Sequence, residues 1–518
     1  MKLSQLTEEL SPKKMIPPVS GHGVVSMDPE IESIHYRSSE VRPGGLFVAV
    51  RGFATDGHGY IEEAISRGAV AIVAERPLAL PVVLVEVPNS RKALAVVADR
   101  YYQRPSEKLV VIAVTGTNGK TTTASLIESI LRQVGFETGL ISTVFCRYAG
   151  KTHDNPMTTP ESLDLQSILA RMLASGVTHV VMEASSHAID LFRIQNCRLD
   201  VAVFTNLSQD HLDFHGNMQA YWQAKKRLFT DYLPAGAKGN RATAVINCSS
   251  EKGRELFALL SGNAGAPQIL GVGGDPGLDL RPLHAEIGLG GISGTMETPS
   301  GTFAFHSPLA GGYNLENILC AAGAGFALHI PLERIQAGIE RFTSVPGRLE
   351  AVPDRSGRFV FIDYAHTPDA LENVLTTLRA VATGRIICIF GCGGDRDKSK
   401  RPLMGRISME HADLTIVTSD NPRSEEPLRI IEDIVNGIRP LDPYSYGPET
   451  LENGIPRSGF LVEPDRREAI RKGIQAAVPG DTVLIAGKGH EKYQIVGKQK
   501  LPFDDFAIAQ QVIEVGDA

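Results

Sequence analysis

The feature that most constrains the fold is an apolar run that leads into a glycine loop and then into a helix. Residues 109–114 read LVVIAV, which predicts a buried parallel strand. The turn GTNG at 116–119 follows, and Lys120 opens an amphipathic helix with apolar positions at 126, 127, 130 and 131. A glycine loop that ends at a helix N-terminus brings backbone N–H groups and partial positive charge to a bound phosphate. This segment therefore predicts a nucleoside triphosphate site.

The side chains of this loop have the chemistry that such a site needs. Lys120 can reach the β- and γ-phosphates, and the Thr121 hydroxyl can bind Mg²⁺. The loop is shorter than the common phosphate-loop pattern, because Val114 stands where the first glycine would fall. A chance glycine turn is the alternative interpretation, but both flanks supply the strand and helix that the site requires. The short loop favours a particular family over a generic NTPase.

Length and composition limit the function classes. A chain of 518 residues predicts about three domains. The net charge of -7 gives no basic footprint for nucleic acid, so no nucleic-acid partner is expected. No long apolar run and no apolar signal core occur, so we expect no membrane span and a cytoplasmic location. The cysteines form no C-x-x-C pair and are expected to be buried or free thiols.

Strand and helix patterns alternate along the chain, which predicts an α/β fold with mainly parallel sheets and right-handed crossovers. We expect a small N-terminal α/β domain over residues 1–105, a central parallel-sheet domain over 106–343 that contains the phosphate loop, and a C-terminal domain over 344–518. A Gly/Pro-rich stretch at 271–282 predicts a β excursion with loops inside the central domain. Ligands of such sheets bind beyond the carboxyl ends of strands, where the motifs described next lie.

Two motifs of the central domain carry candidate ligands. Glu183 in MEASSH and His211 in NLSQDHLDFHG can bind a hard cation, although imidazole is an unusual Mg²⁺ ligand. Taken by itself, His211 would favour a position that caps or packs in a loop. The polar string DHLDFHG beside a phosphate loop favours the metal site. In GGYNLENILCAAG, Asn314 and Asn317 fit a contact to a nucleotide base or a helix cap equally well.

The first C-terminal motif combines Arg348, in a hinge-like segment, with FIDYAHTPDAL at 361–371. Asp363 stands at a predicted strand end, where a carboxylate can accept hydrogen bonds from a pair of ribose hydroxyls. A solvated turn is the alternative interpretation of Asp363 and of His366 after it. The motif therefore predicts a second nucleotide contact without excluding a simple turn.

The other C-terminal motifs predict an amino-acid site. Arg396 in GCGGDRDKSKRPLM and Arg423 in SDNPRSEEP are planar, bidentate donors suited to carboxylates. Asp420 and Asn421 suit an ammonium group, and Glu491 in AGKGHEKYQ is a second possible ammonium partner. A site with both kinds of group fits a zwitterionic amino acid, whereas the alternative is a salt-bridged surface loop.

These motifs together indicate a family. GTNGKTT, MEASSH, NLSQDHLDFHG, YNLENILCAA, PGRLE, DYAHTPDAL, GCGGDRDKSKRP, DNPR and GKGHE occur in the family's order, and the chain resembles the Mur ligases of peptidoglycan synthesis from about Ser38 to Glu491. The resemblance implies three domains: one for the UDP end of the substrate, a central ATPase and a C-terminal Rossmann-like domain that brings in the amino acid.

The resemblance also implies a reaction. ATP would phosphorylate the D-Glu γ-carboxylate of UDP-N-acetylmuramoyl-L-Ala-D-Glu, and the amine of meso-2,6-diaminopimelate would attack the acyl phosphate. The products would be an amide, ADP and phosphate. A carboxylate is inert to amines until it carries a leaving group, and positioning with Mg²⁺ supplies most of the help in phosphoryl transfer. The expected partners are therefore ATP, Mg²⁺ and these two substrates, with a monomeric enzyme.

Residue roles follow from the same resemblance. The ATP phosphates would be bound by Gly116, Thr117, Asn118, Gly119, Lys120, Thr121 and Thr122, and other parts of the nucleotide by Asn317, Arg348 and Asp363. The catalytic and Mg²⁺-binding set would be Lys120, Thr121, Glu183 and His211, together with Lys225, which matches a lysine that this family carbamylates. The UDP-muramoyl-dipeptide would contact Ser38, Thr158, Thr159, Ser185 and Arg193. The diaminopimelate pocket would contain Arg396, Asp420, Asn421, Pro422, Arg423, Gly487 and Glu491, with Arg423 as the selective residue.

Three positions depart from the family pattern, namely Arg37, Met157 and Leu191, and they concern individual dipeptide contacts rather than the reaction. Two related ligases are the alternatives among enzymes, folylpolyglutamate synthetase and the lysine-adding muramyl ligase. DNPR and the residues for the UDP end argue against both. A regulatory ATP-binding module without ligase activity is the alternative outside enzymes, and the intact Lys120, Glu183, His211 and Lys225 argue against it.

The phosphate-loop interpretation predicts the behaviour of Lys120→Ala. The variant should lose ATP-dependent phosphate release, because Lys120 is the cation placed to contact the transferred phosphate. It should keep its fold, because a loop lysine buries little area. Phosphate release and thermal unfolding of the variant test both statements, and an active, stable variant would contradict the ATPase assignment.

Overall fold

The computed structural model describes residues 1–11, 13–19, 26–52, 55–153, 155, 157–236, 242–262, 267–447 and 455–516. The chain forms two compact units, Met1–Arg281 with Glu316–Gly338 and Pro282–Leu315 with Ile339–Ala518. Within the described ranges, no helix has both the length and the apolar character that crossing a bilayer requires. The six cysteines are all buried and free, which confirms the prediction from their scattered spacing.

The first unit begins with a five-stranded sheet in the order β1-β5-β4-β3-β2, parallel except for β1. Its strands are β1 Lys14–Ile16, β2 Ser33–His35, β3 Gly45–Val48, β4 Ala69–Ala74 and β5 Val83–Glu86, with helices α1 Leu3–Leu6, α2 Ile61–Ser66 and α3 Ser90–Tyr101. Alternate residues of one strand enter different cores: Leu46 and Val48 face one side of the sheet and Phe47 faces the other. The sheet is therefore covered on both faces, as parallel sheets usually are.

The same unit contains an eight-stranded sheet in the order β13-β12-β11-β6-β10-β7-β8-β9. Its strands are β6 Val110–Thr115, β7 Thr138–Ile141, β8 Cys146–Tyr148, β9 Lys151–His153, β10 His179–Glu183, β11 Val201–Phe204, β12 Thr243–Asn247 and β13 Gln268–Val272. Its helices are α4 Lys120–Gln133, α5 Ser162–Ala174, α6 Ser186–Asp190, α7 Leu212–His215, α8 Met218–Arg227, α9 Leu233–Gly236, α10 Glu251–Ser261, α11 Gly312–Ala327 and α12 Leu332–Arg341. The chain passes between the two units within α11 and again within α12.

The register of this sheet decides where the functional motifs meet. Strand β6 lies between β10 and β11 and is parallel to both. Val114 is paired with Glu183, and Thr115 is paired with Phe204. The phosphate loop after β6, the MEASSH motif at the end of β10 and the NLSQDH motif after β11 therefore leave the sheet at one edge. This is the carboxyl edge at which parallel sheets bind ligands.

The second unit contains an antiparallel sheet of β14 Arg281–Gly288, β15 Gly291–Thr298 and β16 Gly301–Ser307. The first of these strands begins at the last two residues of the Gly/Pro-rich stretch at 271–282. From Pro282 on they belong to the second unit and not to the unit that contains the phosphate loop, which is not where the β excursion was expected. The stretch itself supplies the end of β13 and a glycine turn, with Gly273 and Gly277 at positive φ. The Gly/Pro-rich composition therefore indicated the turn that precedes the antiparallel sheet.

The main sheet of the second unit has seven strands in the order β17-β18-β23-β19-β20-β22-β21, parallel except for β17. The strands are β17 Glu350–Val352, β18 Phe359–Asp363, β19 Ile386–Phe390, β20 Leu414–Val417, β21 Tyr444–Tyr446, β22 Gly459–Val462 and β23 Thr482–Ala486. The helices are α13 Pro368–Val381, α14 Lys400–His411, α15 Pro427–Ile438, α16 Arg466–Ala476 and α17 Asp505–Gly516, and a hairpin of β24 Tyr493–Val496 and β25 Gln499–Pro502 precedes α17. The predicted α/β alternation is confirmed.

Candidate active site

The phosphate loop connects β6 to α4 through two glycines that no other residue can replace without strain. Gly119 has φ +82, a left-handed conformation that L side chains rarely adopt. A Cβ on Gly119 would clash with the Asn317 amide, and one on Gly116 would clash with the Thr205 hydroxyl. The loop is thus pressed against two neighbouring segments of the same unit.

Hydrogen bonds anchor this loop to the segment after β11. The backbone N–H groups of Thr117 and Asn118 donate to the carbonyl and the side chain of Asn206, each at 2.9 Å. The Thr205 hydroxyl donates to the Asn118 carbonyl at 2.6 Å, and the Ser208 N–H donates to the Thr117 hydroxyl at 3.0 Å. Because these loop N–H groups have protein acceptors, the first N–H groups of α4, which have no intrahelical partner, are better placed than the loop to donate to an anion.

Two lysines converge on one carbonyl of the loop. The Lys120 ammonium donates to the carbonyls of Gly116 and Thr117 at 2.9 and 2.7 Å. The Lys225 ammonium donates to the same Gly116 carbonyl at 2.7 Å and lies 4.5 Å from the centre of the Tyr221 ring. The Lys225 side chain is almost completely buried. Burial, with the Lys120 charge as a second cause, lowers the pKa of Lys225 well below its ordinary value.

Glu183 is fully buried at the end of β10. Its two carboxylate oxygens accept from the N–H and the hydroxyl of Thr143, at 2.9 and 3.1 Å. Nothing in the sequence pattern pointed to Thr143, which lies forty positions earlier in the chain. These bonds fix the carboxylate at the sheet edge beside the phosphate loop.

His211 occupies the turn before α7 with φ +53, and its ring centre lies 4.8 Å from that of His187. Burial lowers the pKa of His211, although Asp210 opposes the shift. Burial also lowers the pKa of His187 to about 4. The neutral imidazole is the form that can coordinate a metal.

The donor types expected at the metal are a hydroxyl, a carboxylate and an imidazole. Within the described residues, no group of three or more His, Cys, Asp and Glu side chains is placed to hold an ion. Mg²⁺ is usually bound by one or two protein oxygens together with substrate phosphates and water. Thr121, Glu183 and His211 beside a phosphate loop fit that mode of binding.

Four of the five residues expected to contact the dipeptide are connected around Glu183. The Thr159 hydroxyl donates to the Glu183 carbonyl at 2.8 Å and accepts from the Ser185 N–H at 3.2 Å. The Arg193 guanidinium donates to the Thr159 carbonyl at 3.1 Å. The Thr158 hydroxyl lies 3.0 Å from that of Thr143, which itself binds Glu183. The predicted substrate and metal residues thus share one hydrogen-bonded network.

Ser38 is not part of this network. It lies in the turn Ser38–Glu40 after β2 and donates to Glu63 at 2.7 Å. The neighbouring Arg37, one of the departures from the family pattern, pairs with Glu40 at 2.9 Å. Both residues belong to the five-stranded part of the unit and not to the edge that carries the phosphate loop.

Asn317 lies inside α11 and not at its cap, so the structure removes the capping alternative for this residue. Its amide oxygen accepts from the Thr123 hydroxyl at 3.2 Å, and the amide lies directly against Gly119. Asn314 instead donates to the carbonyl of Ala310, which precedes the helix, at 2.7 Å. Asn317 therefore lies against the phosphate loop.

In the second unit, Asp363 ends β18 and accepts from the N–H groups of Leu349 and Ala365 at 2.7 and 2.8 Å. Burial raises the pKa of Asp363, and Arg348 opposes the shift. The Arg348 guanidinium lies 5.1 Å from the centre of the Tyr364 ring. The two predicted nucleotide residues of this unit therefore lie close together. His366 turns back on its own loop, where its Nδ1 lies 2.8 Å from the Tyr364 carbonyl.

The loop after β20 carries the DNPR motif, and the hairpin β24–β25 holds it. Arg423 has φ +52, and its N–H donates to the Ile495 carbonyl at 3.0 Å. Its guanidinium donates to the Gly394 carbonyl at 2.8 Å. A Cβ on Gly393 would lie within 4 Å of both Arg396 and Arg423, so the two predicted carboxylate-binding arginines flank one glycine.

The predicted ammonium-binding residues also meet. The Asn421 amide donates to Glu491 at 2.9 Å, and the Gly487 N–H after β23 donates to the Asp363 carbonyl at 3.0 Å. Sequence reasoning missed Lys488, a fully buried residue that contacts Asn421 and Glu491. The sequence did contain a signal for this residue, because Lys488 stands between the two glycines of the GKGHE motif.

Comparison with known proteins agrees with this arrangement. Three family models match successive stretches: the Mur ligase family catalytic domain at residues 30–102, the Mur ligase middle domain at 114–325 and the Mur ligase glutamate ligase domain at 347–489. Three Mur ligase domains therefore follow one another along the chain.

Full-length relatives carry a more specific name. A protein of Geobacter metallireducens called UDP-N-acetylmuramoyl-L-alanyl-D-glutamate–2,6-diaminopimelate ligase is 47% identical over 95% of both chains. A protein of the same name from Geobacillus kaustophilus is 43% identical over 94% of this chain and 96% of its own. A solved structure of a ligase with this name has 32% identity and a TM-score of 0.69, and the match covers 94% of this chain and 96% of that one.

The buried position of Lys225 predicts a pH-dependent stability. Because its pKa is lowered in the folded state, the unfolded chain binds more protons between that lowered value and the ordinary 10.5. The destabilisation is complete below the folded-state pKa and is relieved as pH rises. Lys225→Met should therefore be more stable than the wild type at neutral pH, by a margin that shrinks with rising pH.

Urea unfolding of both proteins from pH 7 to 10 in CO₂-free buffer measures that margin. Lys226→Met is the matched control, because the neighbouring side chain is only partly buried. A margin that does not change with pH would contradict the assignment of Lys225 as a buried amine with a lowered pKa.

Proposed function

Because the chain belongs to the Mur ligase family, we propose that it is an ATP-dependent amide ligase that joins meso-2,6-diaminopimelate to the D-Glu γ-carboxylate of UDP-N-acetylmuramoyl-L-Ala-D-Glu. The observation that carries the proposal is identity of 47% over 95% of both chains with a relative named for 2,6-diaminopimelate. The amino-acid motifs support it, because they place paired arginines and paired acidic or amide side chains in one unit.

The chemistry proceeds in two steps. The γ-carboxylate attacks the γ-phosphorus of ATP, so that a new P–O bond forms, the bond to ADP breaks and an acyl phosphate results. The amine of diaminopimelate then attacks the acyl carbon, loses a proton and expels phosphate, which leaves the amide. Phosphoryl transfer of this kind depends mainly on positioning and charge stabilisation.

Lys120 and the start of α4 supply that stabilisation in the proposal. The Lys120 ammonium already lies over the loop carbonyls, within a short side-chain movement of the helix N-terminus. Exchange of those carbonyls for phosphate oxygens would give charge-assisted hydrogen bonds. Thr121, Glu183 and His211 would hold Mg²⁺, which when bound neutralises phosphate charge.

Lys225 is proposed to react with CO₂ and form a carbamate. The neutral amine is the nucleophile, so a new N–C bond forms as a proton leaves the nitrogen. The lowered pKa of Lys225 supports this step because it keeps more of the amine neutral. The product would place an anion beside the Lys120 ammonium, so that opposite charges face each other in the interior.

The domains are proposed to divide the substrates. Residues 1–105, with Ser38, would bind the UDP end, and residues 106–343 would bind ATP and present the dipeptide to it. Residues 344–518 would bind diaminopimelate. The enzyme is proposed to act as a monomer in the cytoplasm, in the synthesis of peptidoglycan precursors.

The direct test is phosphate release from ATP in the presence of UDP-N-acetylmuramoyl-L-Ala-D-Glu and a panel of amino acids. We expect release with meso-diaminopimelate and little with L-lysine or L-glutamate. Equal or better release with lysine would favour the lysine-adding muramyl ligase. Absence of release with any acceptor would favour a regulatory nucleotide-binding module.

The carbamate proposal predicts that Lys225→Ala is nearly inactive and is partly rescued by a small added carboxylate. Lys226→Ala, at the neighbouring and less buried position, is the matched control and should retain activity. Wild-type activity should also fall in CO₂-depleted buffer and return with bicarbonate. Full activity without CO₂, with an unmodified ammonium in an active crystal form, would contradict the carbamate.

The selectivity proposal predicts the behaviour of Arg423→Ala. The distal carboxylate of diaminopimelate can accept two parallel hydrogen bonds from this guanidinium, each worth roughly 1.5–3 kcal/mol. The variant should therefore lose about 10²–10⁴-fold in kcat/KM for diaminopimelate, mainly through KM, with little change in KM for ATP or the UDP-dipeptide. Arg423→Lys should restore little, because a point charge cannot reproduce the planar fork.

The measurement is kcat/KM for meso-diaminopimelate and for L-lysine in wild type, Arg423→Ala and the control Arg429→Ala, whose side chain is exposed on α15. Wild type should prefer diaminopimelate strongly, and the control should keep that preference. If Arg423→Ala keeps it as well, Arg423 is not the selective residue.

A further inference from the structure

Lys488 is a charged side chain that the proposed reaction leaves without a role. It follows β23 in the GKGHE motif, and its side chain is fully buried. Its ammonium donates to the Asn421 amide oxygen at 3.1 Å and to Asp420 at 3.4 Å, and it lies 3.5 Å from Glu491. A buried ammonium is costly unless it is paired and hydrogen-bonded, so these three contacts account for its presence.

The contacts fix the orientation of the Asn421 amide. Its oxygen accepts from Lys488 and also from the Ile495 N–H at 2.9 Å. Its NH₂ group is therefore turned to Glu491 and donates to that carboxylate at 2.9 Å. The Gln494 amide also binds this segment, because it donates to the Asp420 carbonyl at 2.7 Å. Loss of Lys488 would remove one of the two donors that hold the amide in this orientation.

The ammonium also holds two acidic side chains at one point. Asp420 and Glu491 come from different loops, and each lies within 3.5 Å of the Lys488 nitrogen. Side chains of neighbouring elements also interact electrostatically with these two carboxylates, among them Arg466, Tyr364 and Tyr493. Without Lys488, the two carboxylates would repel each other and move apart or take up a proton.

We propose that Lys488 is a positioning residue of the amino-acid site, which holds Asp420, Asn421 and Glu491 in the arrangement that accepts an ammonium group of diaminopimelate. The inference rests on the proposed function, because it assigns those three side chains to the amino acid. Lys488 itself makes no contact with substrate in this proposal and acts through its three partners.

The first experiment compares steady-state kinetics of Lys488→Met with those of wild type. Methionine has a similar length and no charge, so the variant removes the ammonium without leaving a large cavity. KM for meso-diaminopimelate should rise by at least about tenfold, and KM for ATP and for the UDP-dipeptide should stay within about twofold. Lys492→Met is the matched control, since that side chain is 79% exposed in the same loop, and it should behave as wild type.

A double variant keeps the proposal testable if Lys488→Met folds poorly. Lys488→Met/Glu491→Gln removes the cation together with one of its anions, which leaves less uncompensated charge in the interior. Its KM for diaminopimelate should exceed that of Glu491→Gln alone, because Lys488 also holds Asp420 and Asn421. A KM equal to that of Glu491→Gln would overturn the assignment.

The outcomes separate this inference from the function on which it rests. If wild type releases no phosphate with meso-diaminopimelate, the proposed function fails. If wild type is active and Lys488→Met leaves KM for diaminopimelate unchanged, or raises all three KM values equally, only the positioning role fails. A selective rise in KM for diaminopimelate, at an assay temperature where circular dichroism shows the variant folded, supports the role.

Discussion

The interaction on which the candidate site depends is the convergence of two lysine ammonium groups on the carbonyl oxygen of Gly116. Lys120 reaches it from the start of α4, and Lys225 reaches it from α8. Lys120 also donates to the Thr117 carbonyl, and Lys225 lies against the Tyr221 ring. The N-terminus of α4 adds partial positive charge at the same place. The positive electrostatic environment and burial together account for the lowered pKa of Lys225.

Buried cations in the second unit are paired with carboxylates. Arg466 pairs with Asp505, and neither side chain is exposed. Arg401 is equally buried and pairs with both Glu425 and Asp433. Such pairs contribute little net stability compared with apolar packing, but breaking one is expensive, so they fix the loops that carry them. Arg401 also donates to the Gly393 carbonyl, which ties it to the loop that carries Arg396. Arg401 and Arg466 are thus paired with carboxylates, whereas the Lys225 ammonium contacts a backbone carbonyl and an aromatic ring.

Individual residues show which features of the fold and the candidate site could be predicted from the sequence. The strand at 109–114 and the helix from Lys120 were predictable because hydrophobic periodicity and glycine placement act locally. Asn317 could not be assigned between a cap and a nucleotide contact, because the choice depended on where α11 begins. Thr143 carried no signal, since a threonine after a short strand has many possible roles. Lys488 stood in a recognised motif, yet only its complete burial among Asp420, Asn421 and Glu491 distinguishes it from an exposed loop lysine.

The sequence by itself determined the α/β alternation, the order of the motifs and the chemical type of each candidate group, because these depend on residues that are neighbours in the chain. The tertiary structure alone decided which groups meet. Lys225 donates to a carbonyl 109 positions away, and Glu183 is held by a residue 40 positions away. Such contacts depend on the pairing of β6 with β10 and β11, which brings three strand ends to one edge. The pKa of Lys225 follows from the same packing, because the loss of water around an ammonium is a property of the folded interior and not of the local sequence.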